Sequence, residues 1–195
     1  MKTVFFFIYK DMELLDFAGP YEIFSVANEL RISPPFNLKV LSPSGQSIQT
    51  TNGVGIEVDA SWHYSMNANI SIIPGGEGSR EVVMQKDLMK LLKLRVRKSE
   101  KVASICSGAR VLAHLSELDE SDFCTHYSVA EEILSLTKNA HYRSDLRYVN
   151  AGKIATSAGV TAGMDLALDL VEEFGDQQLR FAIEKYISYS QKKLM

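Results

Sequence analysis

Along the chain, short unbroken apolar runs alternate with longer stretches in which apolar residues recur every three or four positions. Val4 to Tyr9 is apolar and aromatic throughout, the pattern of a strand covered on both faces in a parallel sheet. Lys10 to Phe17 reads as a loop. A helix is predicted to follow, with Gly19 as N-cap, Pro20 as its first residue and Ile23, Ala27 and Leu30 on one face. Ser33-Pro34-Pro35 ends it, and Phe36 to Leu41 alternates as a second strand. Ile48 to Val58, with Asn52-Gly53 inside it, predicts a hairpin at the sheet margin. Asn69 to Ile73 is a third core strand and runs into Pro74-Gly75-Gly76-Glu77-Gly78, a loop able to present bare backbone N–H groups.

Glu81 to Ser99 has the period of one long helix, with Leu88, Leu91 and Leu92 inward and a basic, solvated face from Lys90 to Lys98. Lys101 to Ile105 is the fourth strand, and the helix after it runs from Gly108 to Leu115. Asp122 to Tyr127 reads as a short strand; Ser128 with Glu131 forms a capping box for a helix to Leu136. Tyr148-Val149 and Lys153 to Thr156 flank Asn150-Ala151-Gly152 as a hairpin. Thr161 to Phe174 is a helix stopped by Gly175, and Asp176 caps a last helix through Lys193. Strands alternating with helices predict an α/β sandwich around a mainly parallel sheet, within one domain spanning residues 1–195.

The composition is that of an ordinary globular chain: 46% hydrophobic, 23% charged and a net charge of -3, so no basic surface invites nucleic acid. No apolar segment approaches the ~20 residues of a membrane span. The N-terminal apolar run is interrupted by Lys10-Asp11-Met12-Glu13 and lacks a small-residue cleavage site, so it reads as a strand rather than a signal peptide. Two cysteines are too few for a disulfide framework, which points to the cytoplasm and a free thiol. A small-molecule substrate or ligand is the expected partner. No P-loop, dinucleotide fingerprint or metal-ligand spacing is present, so neither cofactor nor metal is expected.

Candidate chemistry concentrates at Cys106, where a strand meets a helix with small residues, Ser104 and Gly108, two positions to either side. That is the spacing of a nucleophile elbow, and it puts the thiol at the carboxyl edge of the sheet, where the helix dipole favours thiolate. Asp16, in the loop after the first strand, shares that edge; a carboxyl beside a thiolate is held protonated by the like charge and can donate a proton. Glu13 is the fallback acid. The amides of Gly76 and Ser107 could together bind a developing anion, and His126 could line the site. Cys124 reads as core, with an oxidised pair to Cys106 left open.

Five segments together resemble the ThiJ/PfpI superfamily: Leu15 to Phe24, Ile73 to Gly76, Ser104 to Ala109, Thr125-His126-Tyr127, and Ser157 to Asp165. The resemblance implies a class I glutamine amidotransferase-like, flavodoxin-type three-layer sandwich and a homodimer. The Asp-x-x-Gly-Pro-Tyr-Glu segment looks most like isonitrile hydratase and like the ligand-binding halves of AraC-type regulators. In the hydratase pattern the acid falls on Asp16, the nucleophile on Cys106, and a threonine on Ser107, where this chain departs. Serine after the cysteine, where PfpI-type enzymes have histidine, disfavours proteolysis. With no residues after Met195 for a helix-turn-helix, a DNA-binding regulator is not expected. The readings carried forward are hydration of an isonitrile to a formamide, a non-catalytic small-molecule or redox sensor, and carbonyl chemistry of the glyoxalase or deglycase kind.

Overall fold

The computed structural model describes residues 1–189. Strand β1 (Lys2–Phe7) leads into α1 (Leu14–Glu29), followed by β2 (Phe36–Ser42), the short β3 (Ile48–Gln49), β4 (Gly55–Ile56) and β5 (Ala60–Ser61), and then β6 (Ile70–Ile73). Helices α2 (Ser79–Met84) and α3 (Lys86–Lys98) precede β7 (Lys101–Ile105), which a single 3-10 turn, Cys106–Gly108, joins to α4 (Ala109–His114). The chain continues through β8 (Asp122–Phe123), α5 (Ala130–Leu136), β9 (His141–Tyr142), β10 (Tyr148–Ala151), β11 (Ile154–Ser157), α6 (Ala162–Phe174) and α7 (Gln177–Tyr186).

Seven strands form one sheet in the order β10-β11-β7-β6-β1-β2-β5, parallel except for β10. Helices flank it, giving the expected flavodoxin-like α/β sandwich. The phenylalanines of β1 alternate between its faces: Phe7 packs edge-on against Trp62 at 5.8 Å, while Phe6 meets Phe17 at 5.6 Å on the opposite side. Such ring pairs add about 0.5–1.5 kcal/mol each beyond area burial. From β1 the chain builds outward through β2 to β5, then returns to place β6, β7 and β11 on the other flank of β1. That reversal is the topological switch at which open α/β sheets leave a crevice beyond the carboxyl ends of their strands. Among the described residues no helix is long and apolar enough to cross a membrane.

Several expected boundaries move. Helix α1 starts at Leu14, not Pro20, so Asp16 belongs to its first turn and Pro20 lies inside it. A proline there removes the bond to the carbonyl four residues back, but burial of Met12, Asp16 and Phe17 holds the first turn in place. The single helix expected over 81–99 is two, broken at Gln85 (φ -92°, ψ 93°), which lets α2 pack on α4. The capping box at Ser128 does not form: α5 begins after Val129, and the Ser128 amide donates instead to His126. The strand expected over 122–127 stops at Phe123. Asp176 does cap α7, accepting from the Leu179 amide at 2.7 Å, but the helix ends at Tyr186 rather than Lys193, part of that expectation lying outside the described residues.

Candidate active site

Four adjacent parallel strands, β1, β6, β7 and β11, send their following segments to the same edge of the sheet. These carry Glu13 and Asp16, Gly75 and Gly76, Cys106 and Ser107, and Gly159 and Val160, and they converge. Cys106 stands at the sharp turn with φ 56°, in the left-handed region that costs an L-residue roughly 1–2 kcal/mol. The expected elbow therefore forms. Gly108 is required there, because a Cβ would overlap the carbonyl oxygen of Ile73. Thr125 Oγ1 fixes the bend from the side by donating to the Cys106 carbonyl at 2.8 Å.

Asp16 is fully buried beside the thiol. Its carboxylate accepts from the Gly75 amide at 3.1 Å and the Val160 amide at 3.2 Å, and it is hydrogen bonded to the Cys106 side chain. Burial pushes its pKa up to about 6 against the pull of those bonds, with the charge of Glu13 adding to the rise. Cys106 is pushed up to about 12, by burial first and by the Asp16 carboxylate second, although the Ser107 amide donates to its sulfur. This corrects the expectation of a resting thiolate. The helix beyond the elbow is only six residues long, and its dipole does not offset burial beside a carboxylate. At neutral pH the pair rests as a thiol donating to a carboxylate, with Asp16 placed to act first as base.

The glycine loop also departs from expectation. The Gly76 amide is not free for an anion, because it donates to Ser107 Oγ at 2.9 Å. Ser107 thus contributes two things: an amide at the sulfur and a hydroxyl that ties the loop to the elbow. His126 is among the residues that line the cavity. A Cβ on Gly159 would meet His126 Cδ2 at 2.7 Å and Cys106 Sγ at 3.6 Å, so ring and sulfur flank one glycine. Its Nδ1 lies 2.7 Å from Ser128 Oγ, and the exposed ring of Tyr127 stacks on it at 4.5 Å. Cys124 is core; its thiol points to the carbonyls of Arg143 and Leu146, and both cysteines are free.

Arg110 was not anticipated. It is buried, one helical turn beyond Cys106, and pairs with Glu132 through two bonds (Nε to Oε1 2.5 Å, Nη2 to Oε2 2.9 Å) while also donating to Ser79 Oγ. Ser79 in turn donates to the Gly76 carbonyl at 2.7 Å, so this ion pair braces the glycine loop. An arginine four residues past the nucleophile was the available signal, but its partner is 22 residues away. Tyr9, buried below, donates to the Pro74 carbonyl, and its pKa is raised by burial and by the nearby Asp16. The cavity above the thiol measures about 220 Å³ and is lined by Glu13, Gly76, Glu77, Cys106, Ser107, Arg110, His126, Ser128, Val129 and Val160.

A parallel α/β sandwich presenting a strained cysteine elbow to a buried acid defines a recognisable class of proteins. The sequence pattern of the DJ-1/PfpI family matches residues 2–173, and the chain belongs to that family. It is 24% identical over 168 residues to an isonitrile hydratase of Pseudomonas putida, covering 86% of this chain and 70% of that protein. It is 23% identical over 188 residues to the HTH-type transcriptional regulator GbdR of Pseudomonas aeruginosa, covering 96% of this chain but 51% of the regulator. Solved structures of similar fold include a ThiJ/PfpI family protein from Pseudomonas syringae (TM-score 0.88, 20% identity, 100% of this chain and 77% of that one). Drosophila melanogaster DJ-1beta is another (TM-score 0.84, 19% identity, 97% and 98%).

Proposed function

We propose that this protein hydrates a small isonitrile, R–N≡C, to the N-substituted formamide. The observation that carries the reading is Cys106, lining a small cavity and hydrogen bonded to the fully buried Asp16. Similarity to an isonitrile hydratase supports it.

The chemistry follows from the resting protonation state. Asp16 takes the thiol proton as sulfur attacks the terminal carbon, forming the S–C bond, and then returns that proton to the same carbon. The product is an S-linked thioimidate, R–N=CH–S, and Asp16 is again a carboxylate. It next accepts a proton from water as the oxygen bonds to carbon, and the nitrogen receives that proton. Collapse of the tetrahedral centre forms the C=O bond, breaks S–C and returns the hydroxyl proton to sulfur. One isonitrile and one water give one formamide. The Ser107 amide, already directed at the sulfur, favours the thiolate on leaving.

Incubation with a simple alkyl isonitrile and detection of the formamide tests the proposal. Turnover is expected for the wild type and not for Cys106→Ala or Asp16→Asn; absence of wild-type turnover, or undiminished turnover by Cys106→Ala, refutes it. A sensor reading draws on a different observation, the protonated thiol together with similarity to a transcriptional regulator. It predicts ligand-induced stabilisation without turnover in the same assay.

A further inference from the structure

We propose that Tyr9 is a positioning residue for Asp16, acting through the one peptide unit that joins Pro74 to Gly75. The inference deepens the hydratase reading and rests on it for the kinetics, though not for the hydrogen bonds. Tyr9 is buried just past β1, and its hydroxyl donates to the Pro74 carbonyl. The amide of that same peptide unit belongs to Gly75, and it donates to Asp16 Oδ2 at 3.1 Å. In a planar trans peptide the C=O and N–H groups point in opposite directions. Tyr9 therefore holds one end of the peptide dipole while the other end is aimed at the acid.

Position 75 has no room for a side chain: a Cβ there would lie 2.6 Å from the Ser107 amide nitrogen and 2.8 Å from Asp16 Oδ2. The peptide thus lies directly against the carboxyl. Its neighbours are held as well, the Gly75 carbonyl by the Glu13 amide at 3.0 Å, the Gly76 amide by Ser107 Oγ and the Gly76 carbonyl by Ser79 Oγ. A tyrosine that only filled the core would need no hydroxyl, and this one meets the carbonyl whose peptide faces the base. Linked hydrogen bonds polarise one another, by roughly 10–30% per bond. Electron density drawn toward Tyr9 at the carbonyl makes the Gly75 N–H a better donor, which favours Asp16 as carboxylate. Glu13 from the same segment and Cys106 from the elbow also bear on Asp16, the Val160 amide donates to it from the turn before α6, and Arg110 of α4 acts on Tyr9. Tyr9→Phe leaves all of these groups in the chain and removes one oxygen.

The Gly75 amide is the probe, because its proton lies in the bond that Tyr9 strengthens. Its chemical shift, followed by 15N–1H NMR between pH 4 and pH 8, titrates with the Asp16 carboxyl, whose pKa burial raises to about 6. In Tyr9→Phe the midpoint should rise by about half a unit, roughly threefold in proton affinity. Replacing Tyr9 by 3-fluorotyrosine, a stronger donor of nearly the same shape that burial keeps protonated, should move the midpoint down. With an alkyl isonitrile, kcat/KM of Tyr9→Phe should be about threefold below the wild type at pH 5 and nearly equal to it at pH 8. A merely structural tyrosine would lower kcat/KM by the same factor at every pH. That result, an unmoved midpoint in Tyr9→Phe, or a midpoint that fluorination does not lower, overturns the inference. If the wild type hydrates no isonitrile, the hydratase reading fails by itself and the NMR midpoints decide alone. If Tyr9→Phe does not fold, the fluorotyrosine protein decides: a lowered midpoint sustains the inference, and an unmoved or raised one overturns it.

Discussion

Asp16→Asn separates the cost of the buried carboxylate from the work it does. The native carboxylate receives two backbone amides, from Gly75 and Val160, whereas an asparagine offers one oxygen and turns its NH₂ toward the other donor. Leaving that amide unsatisfied costs about 1–3 kcal/mol at every pH. Set against this is a pH-dependent gain. Burial raises Asp16 from 3.8 to about 6, so the folded protein binds this proton more tightly than the unfolded chain does. For a raised pKa the stabilising contribution is present below the unfolded value and is lost as pH climbs through the folded one. At pH 8 the wild type therefore bears a penalty that Asn does not, and at pH 4 it bears little of it. The stability difference between variant and wild type should swing by about 2 to 3 kcal/mol in favour of Asn between those two pH values. Urea denaturation at pH 4 and pH 8 measures the swing, and the pH-independent amide loss cancels from it. A difference that stays constant across the range would show that Asp16 titrates normally, which would refute the effect of burial and leave the proposed reaction with a much weaker base.

Two further outcomes follow from strain and charge at the same edge of the sheet. Because Cys106 sits at φ 56°, Cys106→Gly should be more stable than Cys106→Ala by about 1 kcal/mol in chemical denaturation, although both lose activity; equal stability would mean the elbow stores no strain. Glu132→Gln strips the countercharge from buried Arg110 and should cost about 2 kcal/mol, while the double variant Arg110→Met with Glu132→Gln should recover most of that loss. A double variant no more stable than Glu132→Gln alone would locate the cost in lost packing rather than in an unpaired charge.

The sequence by itself determined the sheet and its reactive edge. Short apolar-rich runs of five or six residues are too brief for core helices and suit strands covered on both sides, and Val4 to Tyr9, Asn69 to Ile73 and Lys101 to Ile105 all fell on the central strands β1, β6 and β7. The small residues around Cys106 announced the elbow because backbone crossing at a tight turn leaves no room for side chains. Tertiary contact decided the rest. Pro20 signals a helix start from local propensity, yet burial of the residues before it carried α1 back to Leu14 and put Asp16 on a helix beside the thiol. The protonation of Cys106 reversed from expectation because desolvation and a neighbouring carboxylate, neither visible in local sequence, outweigh the dipole of a short helix. Gly76 lost its expected role to a hydroxyl 31 residues away, and Arg110 gained one through Glu132, 22 residues on. Spacing along a chain reports which backbone shapes are permitted; which donors and charges are used up is settled only when distant segments meet.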